Sequence, residues 1–256
     1  MKLKLVTLVS LLLCAVCFWS ALSSPASAAQ KKYIVGIDGD YPPYSFIGKD
    51  GKPAGFDVES VQWIAKQLGF TVEIRPTAWD GIIPALLAKK IDMVYSGMTA
   101  SPERGKVVDF SKTYWSINQY VAVKEGSALT MDEFMAGKLT IGTQRGCTAA
   151  IWIEDNLVKT GKMPADNLRL YDNFPAAEMD MEVGRVDGAM MDDVVVKEAI
   201  RGKPARIIGS IQTGENYAVA VRKSDKELKA LIDKGLDMLM KSPKWEELKK
   251  KYKMDK

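Results

Sequence analysis

Between Tyr95 and Phe110 the chain reads Y-S-G-M-T-A-S-P-E-R-G-K-V-V-D-F. The stretch leaves the apolar run Ile91–Val94, turns through Gly97 and Thr99, and enters a short helix. Ser101 suits the cap of that helix, Pro102 its first position, and Arg104 follows within the first turn. Backbone N–H groups, a hydroxyl and a guanidinium therefore converge on one spot, which suits a carboxylate. An ordinary strand–loop–helix junction with a solvated Arg is the plainer alternative.

Outward from this turn the pattern alternates. Tyr33–Asp38 is a β-branched apolar run, and Val58, Val61, Ala65 and Leu68 then recur at helical spacing. Thr71–Arg75 reads as a strand, Gly81–Lys89 as a helix and Ile91–Val94 as a strand. After Lys112 the style repeats: strands at Leu139–Thr143, Leu168–Tyr171, Asp187–Met191 and Arg206–Ile208 alternate with helices at Ala149–Val158, Ala176–Gly184 and Val194–Ile200. Gly214-Glu215-Asn216 reads as a turn-rich break before the strand Tyr217–Arg222. Helices at Glu227–Met240 and Lys244–Tyr252 close the chain. Such alternation predicts an α/β fold with mostly parallel sheets. Binding sites in such folds collect at the carboxyl ends of strands, where Gly97–Arg104 lies.

The first residues are read separately. Lys2 and Lys4 precede an apolar core, Leu5–Trp19, and Ala26-Ser27-Ala28 offers an A-x-A cleavage site. Residues 1–28 therefore read as a secretory signal peptide, with cleavage after Ala29 equally readable, and a periplasmic product is expected. Cys14 and Cys17 leave with that segment, so the mature chain keeps Cys147 alone and no intramolecular disulfide. The whole chain carries 36 Lys and Arg against 32 Asp and Glu, and loss of Lys2 and Lys4 lowers its net charge from +4 to +2. A balance so close to neutral gives no reason to expect nucleic acid as a partner.

Histidine is absent from the sequence. That removes Ser-His-Asp and Cys-His triads, H-E-x-x-H zinc sites and any imidazole base. The phosphate-loop and dinucleotide fingerprints are missing as well. Carboxylate chemistry or binding alone survives, with no cofactor or metal expected.

Four further clusters carry polar or aromatic groups: Asp38-Gly39-Asp40-Tyr41-Pro42-Pro43-Tyr44, Gly55-Phe56-Asp57, the run Trp79-Asp80-Gly81-Ile82-Ile83-Pro84-Ala85-Leu86, and Arg185–Asp192. Singly, each has a plain reading: a Pro-rich turn, an N-cap at Asp57, a core Trp, a strand ending in acids. In this order they resemble the periplasmic amino-acid-binding proteins of ABC importers, the family-3 extracellular solute-binding proteins. D-x-x-Y-P-P-Y at Asp38, G-F-D at Gly55, W-D-G-I-I-P-A-L at Trp79, G-M-T-x-x-x-E-R at Gly97 and D-F-S at Asp109 carry the likeness, which runs from Tyr33 to about Tyr252.

The resemblance implies a two-lobe, Venus-flytrap α/β fold with a two-stranded hinge. Lobe 1 would comprise 33–114 plus 217–256 and lobe 2 118–213, with crossovers near 114–118 and 213–217. It implies that Arg104 grips a ligand α-carboxylate, helped by Thr99 and by backbone N–H groups near Thr148. Asp192, Thr99 and the Gly97 carbonyl would take the α-ammonium. Tyr41 and Trp79 would sandwich the side chain, Asp38 would meet its polar end, and Ser96 and Gln144 would line the pocket. Asp57 stands near the pocket floor in the basic-amino-acid binders, although a capping role is the reading adopted here. Two departures stand out: Cys147 where Thr or Ser is common, read as a Thr surrogate or an exposed thiol that could dimerise, and Met191 where relatives are often polar.

The expected activity is capture of a polar or cationic amino acid, glutamine-like or arginine- and lysine-like, by a monomer that delivers it to a membrane permease. Asp38, Asp57 and Asp80 with the aromatics favour an amide or cationic side chain. Two other readings are a periplasmic cyclohexadienyl dehydratase, with Glu178 or Glu182 as the acid, and a ligand-sensing adaptor.

Overall fold

The computed structural model describes residues 30–254. The signal-peptide reading of 1–28 and the last two residues of the expected lobe 1 lie outside the described residues. The first half of the chain runs β1 (Lys32–Ile37), β2 (Asp40–Tyr41), β3 (Ser45–Ile47), β4 (Pro53–Ala54), α1 (Phe56–Leu68), β5 (Thr71–Pro76), α2 (Ile82–Leu87), β6 (Met93–Val94) and α3 (Pro102–Gly105). Then come the long strand β7 (Val108–Lys124), α4 (Met131–Met135), β8 (Ile141–Gln144), α5 (Thr148–Ile153), β9 (Leu168–Tyr171), α6 (Phe174–Glu182), β10 (Gly188–Asp192) and α7 (Asp193–Ala199). A second long strand, β11 (Ala205–Arg222), leads into α8 (Lys226–Met240) and α9 (Pro243–Lys251).

Eight strands form one sheet in the order β5-β1-β6-β11-β7-β10-β8-β9, and β2, β3 and β4 form a small antiparallel sheet. β1 is parallel to β5 and β6, and β8 is parallel to β9 and β10. Between these two parallel groups run β7 and β11, antiparallel to each other and to their outer neighbours. Each parallel group needs helical crossovers to bring its strands back in the same direction. α1 and α2 supply them on one side, α5 and α6 on the other. Among the described residues, the two long strands together are the only sheet elements that pair with both groups.

Several expectations are corrected here. The strand β7 was not expected as such, because its run mixes Lys112, Thr113, Ser116 and Asn118 with the apolar residues and obscures the alternation. The expected turn-rich break at Gly214-Glu215-Asn216 lies inside β11, where Glu215 and Asn216 pair with Ile117 and Ser116 of β7. It survives as a register irregularity between Ile211 and Glu215. The helix expected over 149–158 ends at Ile153 and continues as one wider π-type turn, Glu154–Val158.

The core is apolar and continuous from Val35 and Ile37 on β1 through Val121 on β7 to Ala189 and Met190 on β10. A second cluster under α2 joins Ile82, Leu86, Ile91, Val94 and Met98. Helices α1 and α8 lie so close that Gly235 of α8 meets Ile64 of α1; a Cβ at Gly235 would stand 2.3 Å from Ile64 Cγ2. Ala ordinarily gains about 1 kcal/mol over Gly in a helix. Overpacking costs about 1–3 kcal/mol and decides the sign. Gly235→Ala is therefore expected to lower the urea-unfolding midpoint, where an exposed helical Gly→Ala would raise it.

Candidate functional site

The cavity opens at the carboxyl ends of β1, β6, β8 and β10, the position that a parallel α/β sheet dictates. It is nearly closed, with about 10 Å³ of space for a water-sized sphere, and its lining includes Asp38, Tyr41, Trp79, Arg104, Gln144 and Asp192. Gly97, Thr99 and Thr148 also border it. Ser96 lies just behind, fully buried.

At one end Asp38 follows the last residue of β1. Its N–H donates to Ser96 Oγ at 2.9 Å, and the Ser96 and Ser45 hydroxyls meet at 2.7 Å. The carboxylate accepts the Asp40 N–H at 2.9 Å and Gln144 Nε2 at 2.7 Å. Burial pushes the Asp38 carboxyl above its usual range, and the two donors pull it partly back. Ser96 is thus a support for Asp38 rather than a wall, whereas Gln144 reaches the cavity from the other parallel group.

The turn after β6 is fixed from below. Gly97 has φ +55°, and a Cβ there would lie 2.7 Å from Tyr41 Cε1, so glycine is required both by conformation and by space. Its N–H donates to Asp57 Oδ2 at 2.6 Å, and the Tyr114 hydroxyl donates to the same oxygen at 2.9 Å. This corrects the capping role read for Asp57. Gly55 is the N-cap of α1 and offers no side chain, while Asp57 points inward from the first turn, fully buried. Burial raises its pKa to about 7, against the two hydrogen bonds that lower it. Asp57 holds the turn and does not line the cavity.

Asp192 ends β10 and begins α7 without capping it, so its carboxylate is free to face the cleft. The hydroxyls of Tyr41 and Tyr217 both donate to Oδ2, and Gln119 Nε2 donates to Oδ1 at 2.5 Å. Burial pushes its pKa up to about 6, the charge of Glu215 adds to the rise, and the three donors oppose it. Tyr217 and Gln119 were not expected at the site. The alternation around Tyr217 marked a strand and a buried position; which hydroxyl partner it meets depends on strand pairing alone.

Arg104 follows the Ser101 cap, which accepts the Arg104 N–H at 3.3 Å as the sequence predicts. Its guanidinium lies over the Trp79 ring, 5.3 Å from the centroid. Nη1 donates to the Thr99 carbonyl at 3.0 Å and Nη2 to the Gly146 carbonyl at 3.1 Å, an oxygen that also accepts Trp79 Nε1 at 3.3 Å. Burial lowers the Arg104 pKa, while nearby Asp192 and Glu215 support the charged form.

Thr148 opens α5, and its Oγ1 lies 3.3 Å from Gln119 Nε2. Cys147 is its N-cap: the sulfur accepts the Ala150 N–H at 3.4 Å and lies 3.3 Å from Thr143 Oγ1. The thiol is buried and its pKa is pushed up to about 11, so the exposed, dimerising thiol is corrected to a Thr-like cap. Met191 is a buried wall. Asp80 is exposed and does not border the cavity. Glu178 and Glu182 bind Lys203 at 2.5 and 3.4 Å, away from the cleft, so neither stands as an acid within it.

A family model for bacterial extracellular solute-binding proteins, family 3, matches residues 33–255. The chain belongs to that family. It is 31% identical over 224 residues to the L-cystine-binding protein TcyJ of Escherichia coli strain K12, covering 86% of this chain and 81% of TcyJ. The solved structure of an ancestral arginine-binding protein bound to arginine superposes with a TM-score of 0.80 at 34% identity, over 87% of this chain and 98% of that one. An ancestral amino-acid-binding protein that is a precursor of cyclohexadienyl dehydratase gives 0.78 at 33% identity, over 86% and 95%. The fold of this solute-binding protein is the two-lobe flytrap.

The buried acids set a pH dependence that histidine cannot obscure, since the sequence has none. Unfolded Asp titrates near 3.9. Between about pH 4 and 7 the unfolded chain releases a proton that folded Asp57 keeps, so stability falls as pH rises through this window. Urea denaturation is expected to show a more stable protein at pH 5 than at pH 8, and Asp57→Asn to narrow that difference.

Proposed function

We propose that this solute-binding protein captures a polar or cationic L-amino acid between its lobes and hands it to an ABC importer. The observation that carries this reading is that Arg104 and Asp192 border one cavity, together with Gly97 and Thr99. A zwitterion presents opposite charges a few bonds apart, and this pair answers both. Arg104 takes the α-carboxylate with its planar fork, which a Lys could not match. Asp192, the Gly97 carbonyl and Thr99 take the α-ammonium, and Thr148 and the start of α5 close over the ligand. Tyr41 and Trp79 enclose the side chain, whose end meets Asp38 and Gln144, with Ser96 behind them.

Asp38 favours a cationic side chain over a neutral one, because a buried carboxylate gains more from an ionic partner than from an amide. The relatives named above, for cystine and arginine, fit a polar or cationic ligand. Lobe 1 comprises 33–114 and 217–256 and lobe 2 118–213, with crossovers near 114–118 and 213–217. The protein works as a monomer in the periplasm after removal of residues 1–28, and it binds without catalysing. Closure over the ligand shifts the population to a form that the permease reads.

Calorimetry of refolded protein against the twenty amino acids and ornithine tests this. Binding of one or a few, at micromolar strength or better, is expected; silence across the set would contradict it. Charge-assisted hydrogen bonds contribute about 1.5–3 kcal/mol each. Loss of two from Arg104 predicts that Arg104→Ala weakens binding at least a hundredfold with the thermal midpoint nearly unchanged.

A further inference from the structure

We infer that Glu215, on the hinge strand β11, is a positioning and charge-setting residue of the ammonium subsite. The inference rests on the binding reading above and adds to it a residue that the family motifs did not single out. The Thr99 hydroxyl donates to Glu215 Oε2 at 2.8 Å, and Gln119 Nε2 donates to Glu215 Oε1 at 3.1 Å. The same Gln119 nitrogen donates to Asp192 Oδ1 at 2.5 Å. One amide of β7 therefore bridges two carboxylates, one at the end of β10 and one on β11.

Hydrogen counting makes this consequential. A Thr hydroxyl has a single proton. With that proton given to Glu215, Thr99 presents only lone pairs to the cavity and serves as an acceptor. It joins the ammonium end and cannot donate to the carboxylate that Arg104 takes, which narrows the double role first read for Thr99. Gln119 is likewise committed: its Nε2 has two protons, the two carboxylates take both, Thr148 Oγ1 at 3.3 Å is left without one, and Gln119 Oε1 is buried without a protein partner.

The backbone explains why Glu215 can reach. Ile211 pairs with Gln119 and Glu215 with Ile117, so β11 spends four residues where β7 spends two. In unbroken register Glu215 would stand opposite Trp115. The irregularity, eased by Gly214 at φ +60°, carries it two residues closer to Gln119. Bulges that re-aim a side chain are common beside binding sites. This one places an acid beside Thr99 and Gln119.

The charge matters as well as the bonds. Asp192 is faced by Tyr41, Tyr44 and Tyr217, by Arg104, by Glu215 and by Cys147. Burial holds the tyrosines and the thiol neutral near pH 7, leaving Arg104 and Glu215 as its charged neighbours. Glu215 raises the proton affinity of Asp192, and an ammonium seated between the two acids relieves both.

Glu215→Gln tests this, because it keeps the shape and removes the charge. Carbon-13 NMR of the ligand-free protein reads the Asp192 carboxyl titration. Its midpoint, about 6 in the wild type, is expected to move down in the variant. With L-arginine as titrant at pH 7.5, affinity is expected to fall at least tenfold, and the loss to shrink at pH 5. Glu215→Asp, which keeps the charge, is expected to hold the midpoint near the wild-type value. An unmoved midpoint in a folded Glu215→Gln protein, or an equal loss of affinity at both pH values, would overturn the inference. Silence of the wild type toward every amino acid would instead count against the binding reading, and the ligand-free titration would still decide Glu215.

Discussion

A carboxylate withdrawn from water must be supplied with donors, and Asp192 is withdrawn almost completely, with 3% of its surface exposed. No helix cap satisfies it. Its donors come from three separated places: Tyr41 on β2, Gln119 on β7 and Tyr217 on β11. Leaving such a group unmatched costs several kcal/mol. The closed arrangement therefore depends on those strands meeting at one point, and the two parallel groups meet there as well.

The neighbouring contacts follow the same logic. Gln144 crosses to Asp38, and Arg104 and Trp79 cross to the Gly146 carbonyl. Beneath them Asp57 ties the Gly97 turn to Tyr114 on β7. The Gly97 turn is thereby fastened to β7. A two-lobe fold with a two-stranded hinge is a two-state element of the kind a ligand can bias.

Much of this was legible in the sequence. The alternation of strands and helices set the α/β class, and Ser101, Pro102 and Arg104 announced their turn. Asp38 and Asp192 could be placed because each ends a recognisable apolar strand, and Gln144 through the family resemblance. The hinge was harder to see. β7 is half polar, and the G-E-N segment reads as a turn although Glu215 and Asn216 pair with β7. Gln119, Glu215 and Tyr217 owe their place at the site to that pairing and its two-residue irregularity, for which no local pattern exists. Asp57 misled for a related reason: an acid in the first helical turn usually caps or sits in solvent, and only the Gly97 amide and Tyr114, distant in sequence, draw it inward.

The central claim is that Arg104 and Asp192 together read the two charges of an α-amino acid. Agmatine keeps the guanidinium and an amine of arginine but lacks the carboxylate, so comparing the two by calorimetry isolates the carboxylate's share. The account predicts that L-arginine binds at least a hundredfold more tightly than agmatine. Equal affinity for the two would contradict it and would place the recognition at the Asp38 end of the cavity instead.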